Sequence, residues 1–331
     1  MSKIKLFTHT DLDGVGCAIL AYLAFGRENV DAEFCNYDNV DNKVEALLSN
    51  SDLRNSYDKI FITDISVGEE LAKAIDVWVY PCNVRLFDHH ATALGLNEHE
   101  WCEVMVEDET GLKMSGTVLF YNHLVRNGFF DRYIMNDRVM KNICRFVDIV
   151  RDYDTWRWKE LGEEGVVCKQ VNDLFHIYGR DEFIDWASRR LIYYGSYPKF
   201  PSFRDEDLLL LDQKQKDIDR YVEQKDKQLF IQLDTFGHEY GVIFAEQYFS
   251  ELGNRLCEMH PELSYVAMID ICGGKVSYRT IRDDLDVGGT IAHSYGGGGH
   301  RKAAGSTFDA RYIQETILKE VFKSCEYSGI S

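Results

Sequence analysis

Aspartates and histidines are concentrated in short segments of the first half of the chain. These segments are the H-T-D-L-D-G run with His9, Asp11 and Asp13, then Asp64, then Asp88-His89-His90, and last the R-D-Y-D-T-W run with Asp152 and Asp154. Three or four carboxylates that are brought together repel one another unless a cation sits among them. Mixed aspartate and neutral histidine ligands suit Mn²⁺ or a similar ion, while Mg²⁺ and Zn²⁺ remain open. The segments therefore predict a divalent metal site.

The chemistry of such a site is hydrolysis at phosphorus. Two divalent ions that share one carboxylate can activate a water molecule and neutralise charge on a phosphoryl group. Each segment taken alone has a simpler explanation, because Asp11 or Ser66 could be a helix N-cap and Asp13-Gly14 could be a turn. The metal site is favoured because all of the segments occur together, each at the end of a predicted strand or helix.

Hydrophobic periodicity predicts the elements that position these segments. Over the first 90 residues or so, strand and helix patterns alternate, which predicts a mainly parallel α/β sheet with helices on both faces. The predicted strands are 3–9, 32–36, 59–63 and 84–87, and the predicted helices are 15–25, 43–49 and 69–77. The carboxyl ends of strands line the ligand crevice of such a sheet. Three of the segments are therefore predicted to converge there.

The remaining pattern predicts two domains. A chain of 331 residues exceeds one ordinary core. Amphipathic helices at 114–126 and 138–150 complete a first, metal-binding domain over residues 1–200. A linker with an exposed helix follows over residues 201–236, and a smaller α/β domain occupies residues 237–331. The strands predicted for that smaller domain are 240–245, 265–271 and 276–279, followed by a glycine-rich turn.

Composition predicts a globular, cytoplasmic protein. Hydrophobic residues make up 45% and charged residues 28%, and nine cysteines occur without a Cys-x-x-Cys pair. Such unpatterned thiols are typical of a reducing compartment, and no apolar stretch reaches the roughly 18 residues of a membrane span. The net charge of −18 argues against a general nucleic-acid-coating surface, which would be basic. It does not exclude a substrate that carries phosphate, because bound metal ions invert the local field.

These motifs together resemble the DHH phosphoesterase superfamily, which is named for the triplet found here as Asp88-His89-His90. The H-T-D-L-D-G run resembles the first motif of the family, Asp64 the second and R-D-Y-D-T-W the fourth. The G-G-G-G-H-R-K-A-A-G run at 296–305 resembles the glycine-rich signature of the DHHA1 substrate-binding domain. The resemblance covers nearly the whole chain. It is strongest to the nano-RNase members of the NrnB-like type, which are oligoribonucleases and cyclic-dinucleotide phosphodiesterases.

The resemblance implies roles for the motif residues. His9 and Asp11 would surround one metal, with Asp64 bridging to a second. The second metal would be held by Asp13, His89 and Asp152, with Asp152 preferred over Asp154 because I-V-R-D aligns best with the helix end of the family. His90 would contact the scissile phosphate, so the implied catalytic residues are His90, Asp64 and His89. Asp88 and Asp154 would support the ligands, and the tight spacing of His9 leaves open whether it ligates or supports.

Glycine and basic residues near the C-terminus predict a phosphate clamp. Consecutive glycines let the backbone approach a ligand closely, and their N–H groups can form an anion nest. Residues 273–305 contain five Lys/Arg against three Asp, so this segment is mildly basic. The predicted substrate-binding residues are Arg279, Gly297, Gly298, Gly299, His300 and Arg301. The alternative is a flexible turn beside a solvated basic face. Of the aromatic residues that follow the fourth motif, Tyr153, Trp156 and Trp158 are predicted to pack in the core rather than stack on a base.

The function predicted from motifs and resemblance is a two-metal phosphodiesterase that prefers Mn²⁺. It would hydrolyse short oligoribonucleotides or linear dinucleotides to mononucleotides. One alternative is a phosphatase or phosphodiesterase for small nucleotides, such as 3′-phosphoadenosine 5′-phosphate or cyclic nucleotides. An alternative of another class is a non-catalytic nucleic-acid-binding scaffold with a DHH fold. No membrane partner is predicted, and the resemblance leaves a homodimer open.

Overall fold

The computed structural model describes residues 3–78, 83–134, 136–192 and 199–322. It divides the chain into two units, residues 1–211 and residues 212–331. The division lies inside one long helix, Asp205–Asp226. This helix lies within the predicted linker, residues 201–236.

A five-stranded parallel sheet forms the centre of the first unit. Its strands are β1 (Ile4–His9), β2 (Val30–Cys35), β3 (Lys59–Thr63), β4 (Val84–Asp88) and β5 (Cys102–Val104), and their order in the sheet is β2-β1-β3-β4-β5. Adjacent residues face opposite sides, so Leu6 packs in one apolar core and Phe7 in the other. The predicted parallel sheet is confirmed, and the three-residue β5 was not predicted.

Helices cover both faces of this sheet, as predicted. They are α1 (Leu12–Phe25), α2 (Val40–Leu48), α3 (Ser51–Arg54), α4 (Glu69–Trp78), α5 (Gly116–Arg126), α6 (Asp131–Ile134), α7 (Asp137–Asp154), α8 (Glu163–Tyr178) and α9 (Arg180–Ile192), with 3₁₀ turns at Arg27–Asn29, Ala91–Glu98 and Arg157–Glu160. The larger core contains apolar residues of α1, α5, α7, α8 and α9, and the smaller core those of α2 and α4. Helices α8 and α9 were not predicted from the sequence.

The long helix α10 (Asp205–Asp226) leads into the second unit, which contains a six-stranded mixed sheet. Its elements are β6 (Phe230–Leu233), β7 (Glu239–Phe244), α11 (Phe249–Met259), β8 (Val266–Asp270), β9 (Lys275–Arg279), a π-helical turn at Val287–Ala292, β10 (Gly298–His300), β11 (Ala303–Thr307) and α12 (Ala310–Phe322). The strand order is β10-β11-β9-β8-β7-β6, and β7 pairs parallel with β8. Strand β6 precedes the predicted domain start at residue 237. Among the described residues, no helix combines the length and apolar character that crossing a membrane requires.

Candidate metal centre

Three neighbouring parallel strands bring the predicted segments to one edge of the first sheet. Strand β1 lies beside β3, and β3 lies beside β4, so their carboxyl ends share an edge. His9 is the last residue of β1, Asp64 directly follows β3, and Asp88 is the last residue of β4. Helix α1 begins at the same edge, and the side chain of its N-cap residue Asp11 accepts a hydrogen bond from the amide of Gly14. The sheet topology thus explains why residues so far apart in sequence meet.

The cluster has two lobes that share Asp64. In the first lobe, Nδ1 of His9 lies 2.8 Å from Oδ2 of Asp11 and 3.8 Å from Oδ2 of Asp64. In the second lobe, Nε2 of His89 lies 3.3 Å from Oδ1 of Asp64, 3.7 Å from Oδ2 of Asp13 and 3.4 Å from Oδ2 of Asp154. The two oxygens of Asp64 therefore face different lobes. A carboxylate that is placed in this way can bridge two cations.

The structure corrects the preference for Asp152 in the fourth motif. Both aspartates belong to α7, but residues two positions apart on a helix point in roughly opposite directions. The carboxylate of Asp154 reaches His89, whereas Oδ1 of Asp152 lies 2.9 Å from Nη2 of Arg151 and 3.0 Å from Nη1 of Arg157. Asp152 is therefore occupied by two guanidinium groups, and the residue of this motif that joins the cluster is Asp154.

The third motif also contains a pair that holds its second histidine. Oδ1 of Asp88 lies 2.7 Å from Nδ1 of His90 and accepts a hydrogen bond of 2.8 Å from the amide of His89. The hydroxyl of Ser66 donates to the other oxygen of Asp88. Burial by itself raises the pKa of Asp88, but the bonds from His90 and Ser66 outweigh it and lower the pKa. Asp88 thus orients His90.

Uncompensated polar atoms indicate that the cluster fits cations. Among the described residues, Nδ1 of His9, Oδ2 of Asp64 and Nε2 of His89 are buried side-chain atoms that lie close to other groups of the cluster but form no hydrogen bond of acceptable geometry. Burial and the neighbouring carboxylates, Asp13 and Asp11 among them, raise the pKa of Asp64 and of Asp154 well above the usual range. Burial also lowers the pKa of His89, which favours the neutral form that ligates metals. Buried donor atoms of this kind are rare unless a ligand takes them up.

The N-terminus of α5, a helix predicted at 114–126, fixes Asp13 through a contact that the sequence did not predict. The amide of Gly116 donates to Oδ2 of Asp13 at 2.6 Å, and the amide of Thr117 donates to Oδ1 at 2.9 Å. These are the first two residues of α5, where backbone amides lack partners within the helix and the dipole favours an anion. Ser115, as the N-cap ahead of two small residues, is the signal in the sequence that marks this helix start.

Gly116 also packs against Asp64, whose backbone is strained. Asp64 has a φ of 58°, a conformation that non-glycine residues rarely adopt except at functional sites. A Cβ atom on Gly116 would lie 2.5 Å from Cβ of Asp64 and 2.8 Å from its Cα. Close approach of α5 to this aspartate therefore requires glycine at position 116.

Replacing Gly116 with alanine is expected to lower the free energy of unfolding by about 1–3 kcal/mol, because the added methyl group overpacks a rigid neighbour. Thermal or denaturant unfolding of Gly116→Ala measures this loss. Gly95→Ala is a matched control, since a Cβ atom there meets nothing within 4 Å. Wild-type stability of Gly116→Ala would contradict the close packing of Gly116 against Asp64.

The aromatic residues after the fourth motif have different environments. The ring of Tyr153 stacks on that of Trp158 with 5.9 Å between centroids, and its hydroxyl accepts a hydrogen bond from Asn172. Their predicted packing is confirmed. Trp156 differs, because its side chain is 43% exposed and its φ is 64°. Nζ of Lys159 lies 4.7 Å from the centroid of the Trp156 ring.

In the second unit, two of the predicted substrate-binding residues share a row of the sheet. Arg279 in β9 pairs with Ala303 in β11, and Ala303 pairs with His300 in β10. Directly paired residues point to the same face of a sheet. Nε of Arg279 is buried without a hydrogen-bond partner among the described residues. The guanidinium of Arg301, in contrast, donates to the carbonyl of Asp283.

The glycine run in the second unit is partly an edge strand rather than the predicted turn. Gly298 and Gly299 belong to β10, and the amide of Gly297 donates to the carbonyl of Ala292, so it cannot also bind an anion. A Cβ atom on Gly297 would lie 2.1 Å from the carbonyl oxygen of Gly305, and Gly299 has a φ of 140°. Close strand packing and backbone conformation thus require glycine at 297 and 299.

Comparison with known proteins places the chain in a family. No protein-family profile matches the sequence. The oligoribonuclease NrnB of Bacillus subtilis is 38% identical over 321 residues, which cover 96% of this chain and 76% of that protein. This chain belongs to the NrnB-like branch of the DHH phosphoesterase superfamily. The resemblance predicted from the motifs is therefore confirmed.

Solved structures of this superfamily share the fold. The pGpG-specific phosphodiesterase PggH of Vibrio cholerae is 13% identical, with a TM-score of 0.50 over 98% of this chain and 100% of that chain. RecJ of Thermus thermophilus, in complex with Mn²⁺, is 15% identical, with a TM-score of 0.53 over 97% of this chain and 51% of that chain. At these identities the likeness concerns the fold.

Proposed function

We propose that this DHH-family protein is a phosphodiesterase that hydrolyses short oligoribonucleotides or linear dinucleotides to mononucleotides. The observation that carries the proposal is the two-lobed cluster around Asp64, in which buried ligand atoms of His9, Asp64 and His89 form no hydrogen bond. Membership of the branch that contains an oligoribonuclease supports the substrate class. A scaffold without catalysis would not need such a cluster.

The residues divide into two ligand groups around a shared carboxylate. We propose that His9, Asp11 and Asp64 hold one divalent ion and that Asp13, Asp64, His89 and Asp154 hold another. Mn²⁺ is preferred because both groups mix imidazole with carboxylate. When bound, the two ions supply an activated water and neutralise charge on the phosphoryl group. Asp13 is held by the amides of α5, so its carboxylate stays oriented.

His90 is proposed to contact the scissile phosphate. Its Nδ1 lies 2.7 Å from Asp88, so this nitrogen is oriented and Nε2 is directed away from Asp88. Hydrogen bonding to Asp88 raises the pKa of His90, which favours a form that can donate to an anionic oxygen. In the second unit, Arg279 and His300, which share a row of the sheet, are proposed to bind phosphate. A homodimer and a cytoplasmic location stay predictions.

Incubation of the purified protein with a 5′-labelled diribonucleotide and Mn²⁺ tests the function. Mononucleotide release that stops with EDTA and returns with added Mn²⁺ is expected. A length series from two to ten nucleotides, with 3′-phosphoadenosine 5′-phosphate and a cyclic dinucleotide beside it, determines the substrate class. Absence of turnover with Mn²⁺, Mg²⁺ and Zn²⁺ on all of these substrates would refute the proposal.

Trp156 is predicted to stack on a base of the substrate. It lies two residues after Asp154, and its exposed ring carries Lys159 over one face. A base stacked on an aromatic side chain contributes about 1–3 kcal/mol, so Trp156→Ala is expected to lower kcat/KM for a diribonucleotide about tenfold. Trp156→Phe, which keeps an aromatic ring, should lose less. An equal loss on an abasic dinucleotide analogue would contradict stacking.

A further inference from the structure

Tyr37 lies at the metal centre, although no motif of the chain contains it. It follows β2, which is the neighbour of β1 in the sheet, so it reaches the same edge as His9. Its hydroxyl lies 3.2 Å from Nε2 of His90. Its ring centroid lies 5.3 Å from that of His9 and 6.0 Å from that of His90. Nevertheless the side chain is 62% exposed, so it is open to a substrate.

The loop before α2 holds Tyr37 in this place. Oδ1 of Asn36 accepts a hydrogen bond of 3.0 Å from the hydroxyl of Thr10, which lies inside the first motif. The amide of Asn36 donates to Oδ1 of Asn39, and the carbonyl of Asn36 accepts from the amides of Asn39 and Val40. Side-chain bonds of this kind fix a tight turn. The phenol is therefore positioned before any substrate arrives.

The hydroxyl of Tyr37 is available to a substrate. It lies 3.2 Å from Nε2 of His90, and the side chain is largely exposed. A hydroxyl can rotate its hydrogen from one acceptor to another. An anionic oxygen that approaches Nε2 of His90 therefore comes within reach of the hydroxyl of Tyr37 as well.

We propose that Tyr37 is a substrate-binding residue of this site, whose hydroxyl donates a hydrogen bond to the phosphate group that His90 contacts. This inference rests on the proposed function. The ligand of Tyr37 would be a phosphodiester anion, because its hydroxyl lies beside Nε2 of His90, the residue proposed to contact the scissile phosphate. The paired donors Tyr37 and His90 would hold the phosphate from the side of β2 and β4.

Three variants and two substrates test this role. Tyr37→Phe removes the hydroxyl and keeps the ring, Tyr37→Ala removes both, and Tyr312→Phe alters a tyrosine of the second unit that is 72% exposed. The substrates are a diribonucleotide and an abasic dinucleotide analogue. Because a hydrogen bond to a charged group contributes about 1.5–3 kcal/mol, Tyr37→Phe is expected to lower kcat/KM about tenfold to a hundredfold on both substrates, while Tyr312→Phe has no effect.

Two further measurements separate phosphate binding from other roles. The Mn²⁺ concentration for half-maximal activity is expected to be the same in wild type and Tyr37→Phe, because the hydroxyl binds substrate and does not position His9. The Kd for adenosine 5′-monophosphate, measured by calorimetry with Mn²⁺, is expected to rise in Tyr37→Phe. A shifted Mn²⁺ requirement with an unchanged Kd would overturn the proposal in favour of a structural role.

The remaining outcomes are equally decisive. Wild-type activity of Tyr37→Phe on both substrates would show that the hydroxyl has no role. A loss in Tyr37→Ala that is confined to the substrate with bases would show that the ring stacks on a base. Either result would overturn the proposal. If wild type cleaves neither substrate, the proposed function fails. In that case the nucleotide Kd still decides whether the hydroxyl binds phosphate, since an equal Kd in wild type and Tyr37→Phe overturns this inference.

Discussion

Asp64→Asn is expected to lower kcat/KM by at least about a thousandfold, which corresponds to about 4 kcal/mol of transition-state stabilisation. The change removes the charge that both lobes share, since the two oxygens of Asp64 face His9 and His89 respectively. Asparagine is the suitable replacement because it tolerates the left-handed backbone that Asp64 adopts at a φ of 58°. Steady-state kinetics on a diribonucleotide with saturating Mn²⁺ measures the loss.

The same variant is expected to be more stable than wild type when metal is absent. Burial and the neighbouring carboxylates raise the pKa of Asp64, so the folded state disfavours its ionised form. At pH 7–8 the unfolded chain ionises this group freely, and the folded state therefore loses stability that the neutral amide restores. A rise in Tm of a few degrees is expected in EDTA, in keeping with the strain stored at functional sites.

Asp137→Asn is the control for both measurements. Asp137 pairs with Lys141 on the surface of α7, and its side chain is 81% exposed. Neither Tm nor kcat/KM should move by more than a small amount, because exposed ion pairs contribute little. If Asp64→Asn keeps wild-type activity, or if it loses stability in EDTA, the shared carboxylate is not the centre of the site.

The sequence predicted the sheet because its signals are local. Strands β1, β3 and β4 are apolar runs that end in polar residues, and the alternation with helices implies that they are parallel. Strand β5 has three residues, too few for a period-two pattern. Helices α8 and α9 do not alternate with strands, and their apolar and polar residues are less clearly separated into two faces than those of α7.

The parts of the site that the sequence did not predict depend on contacts between residues far apart in the chain. Gly116 and Thr117 meet Asp13 across more than 100 positions, and no local pattern announces such a contact. Tyr37 is different, because it lies in a polar segment directly after β2. Once β2 is known to lie beside β1, the rule that located the other site residues at the carboxyl ends of strands also includes Tyr37.

The fourth motif shows what a motif alone cannot decide. The motif lies at the end of α7, but the direction of each side chain depends on its angular position around the helix axis. Asp152 and Asp154 differ by about 200° around the helix axis, so only one of them can face His89. The structure selects Asp154, and that selection predicts a clear difference between two otherwise similar variants.

Asp154→Asn is expected to lower kcat/KM at least about a hundredfold and to raise the Mn²⁺ concentration required for half-maximal activity. Asp152→Asn is expected to keep most of the activity and the wild-type Mn²⁺ requirement. Its cost should be in stability, about 1–3 kcal/mol, because its carboxylate accepts hydrogen bonds from Arg151 and Arg157. Kinetics across an Mn²⁺ titration and thermal unfolding of both variants separate these effects.

The comparison is informative because the two residues share a helix, a residue type and a position at the same end of α7. An unspecific effect of removing a carboxylate would therefore appear in both variants alike. Loss of activity in Asp152→Asn but not in Asp154→Asn would mean that Asp152 leaves Arg151 and Arg157 and binds a metal ion in the active protein. Asp152 would then be the metal ligand of the fourth motif, as the sequence predicted. The opposite pattern would support Asp154 as a metal ligand beside His89, and would therefore support the second lobe of the cluster as a metal site.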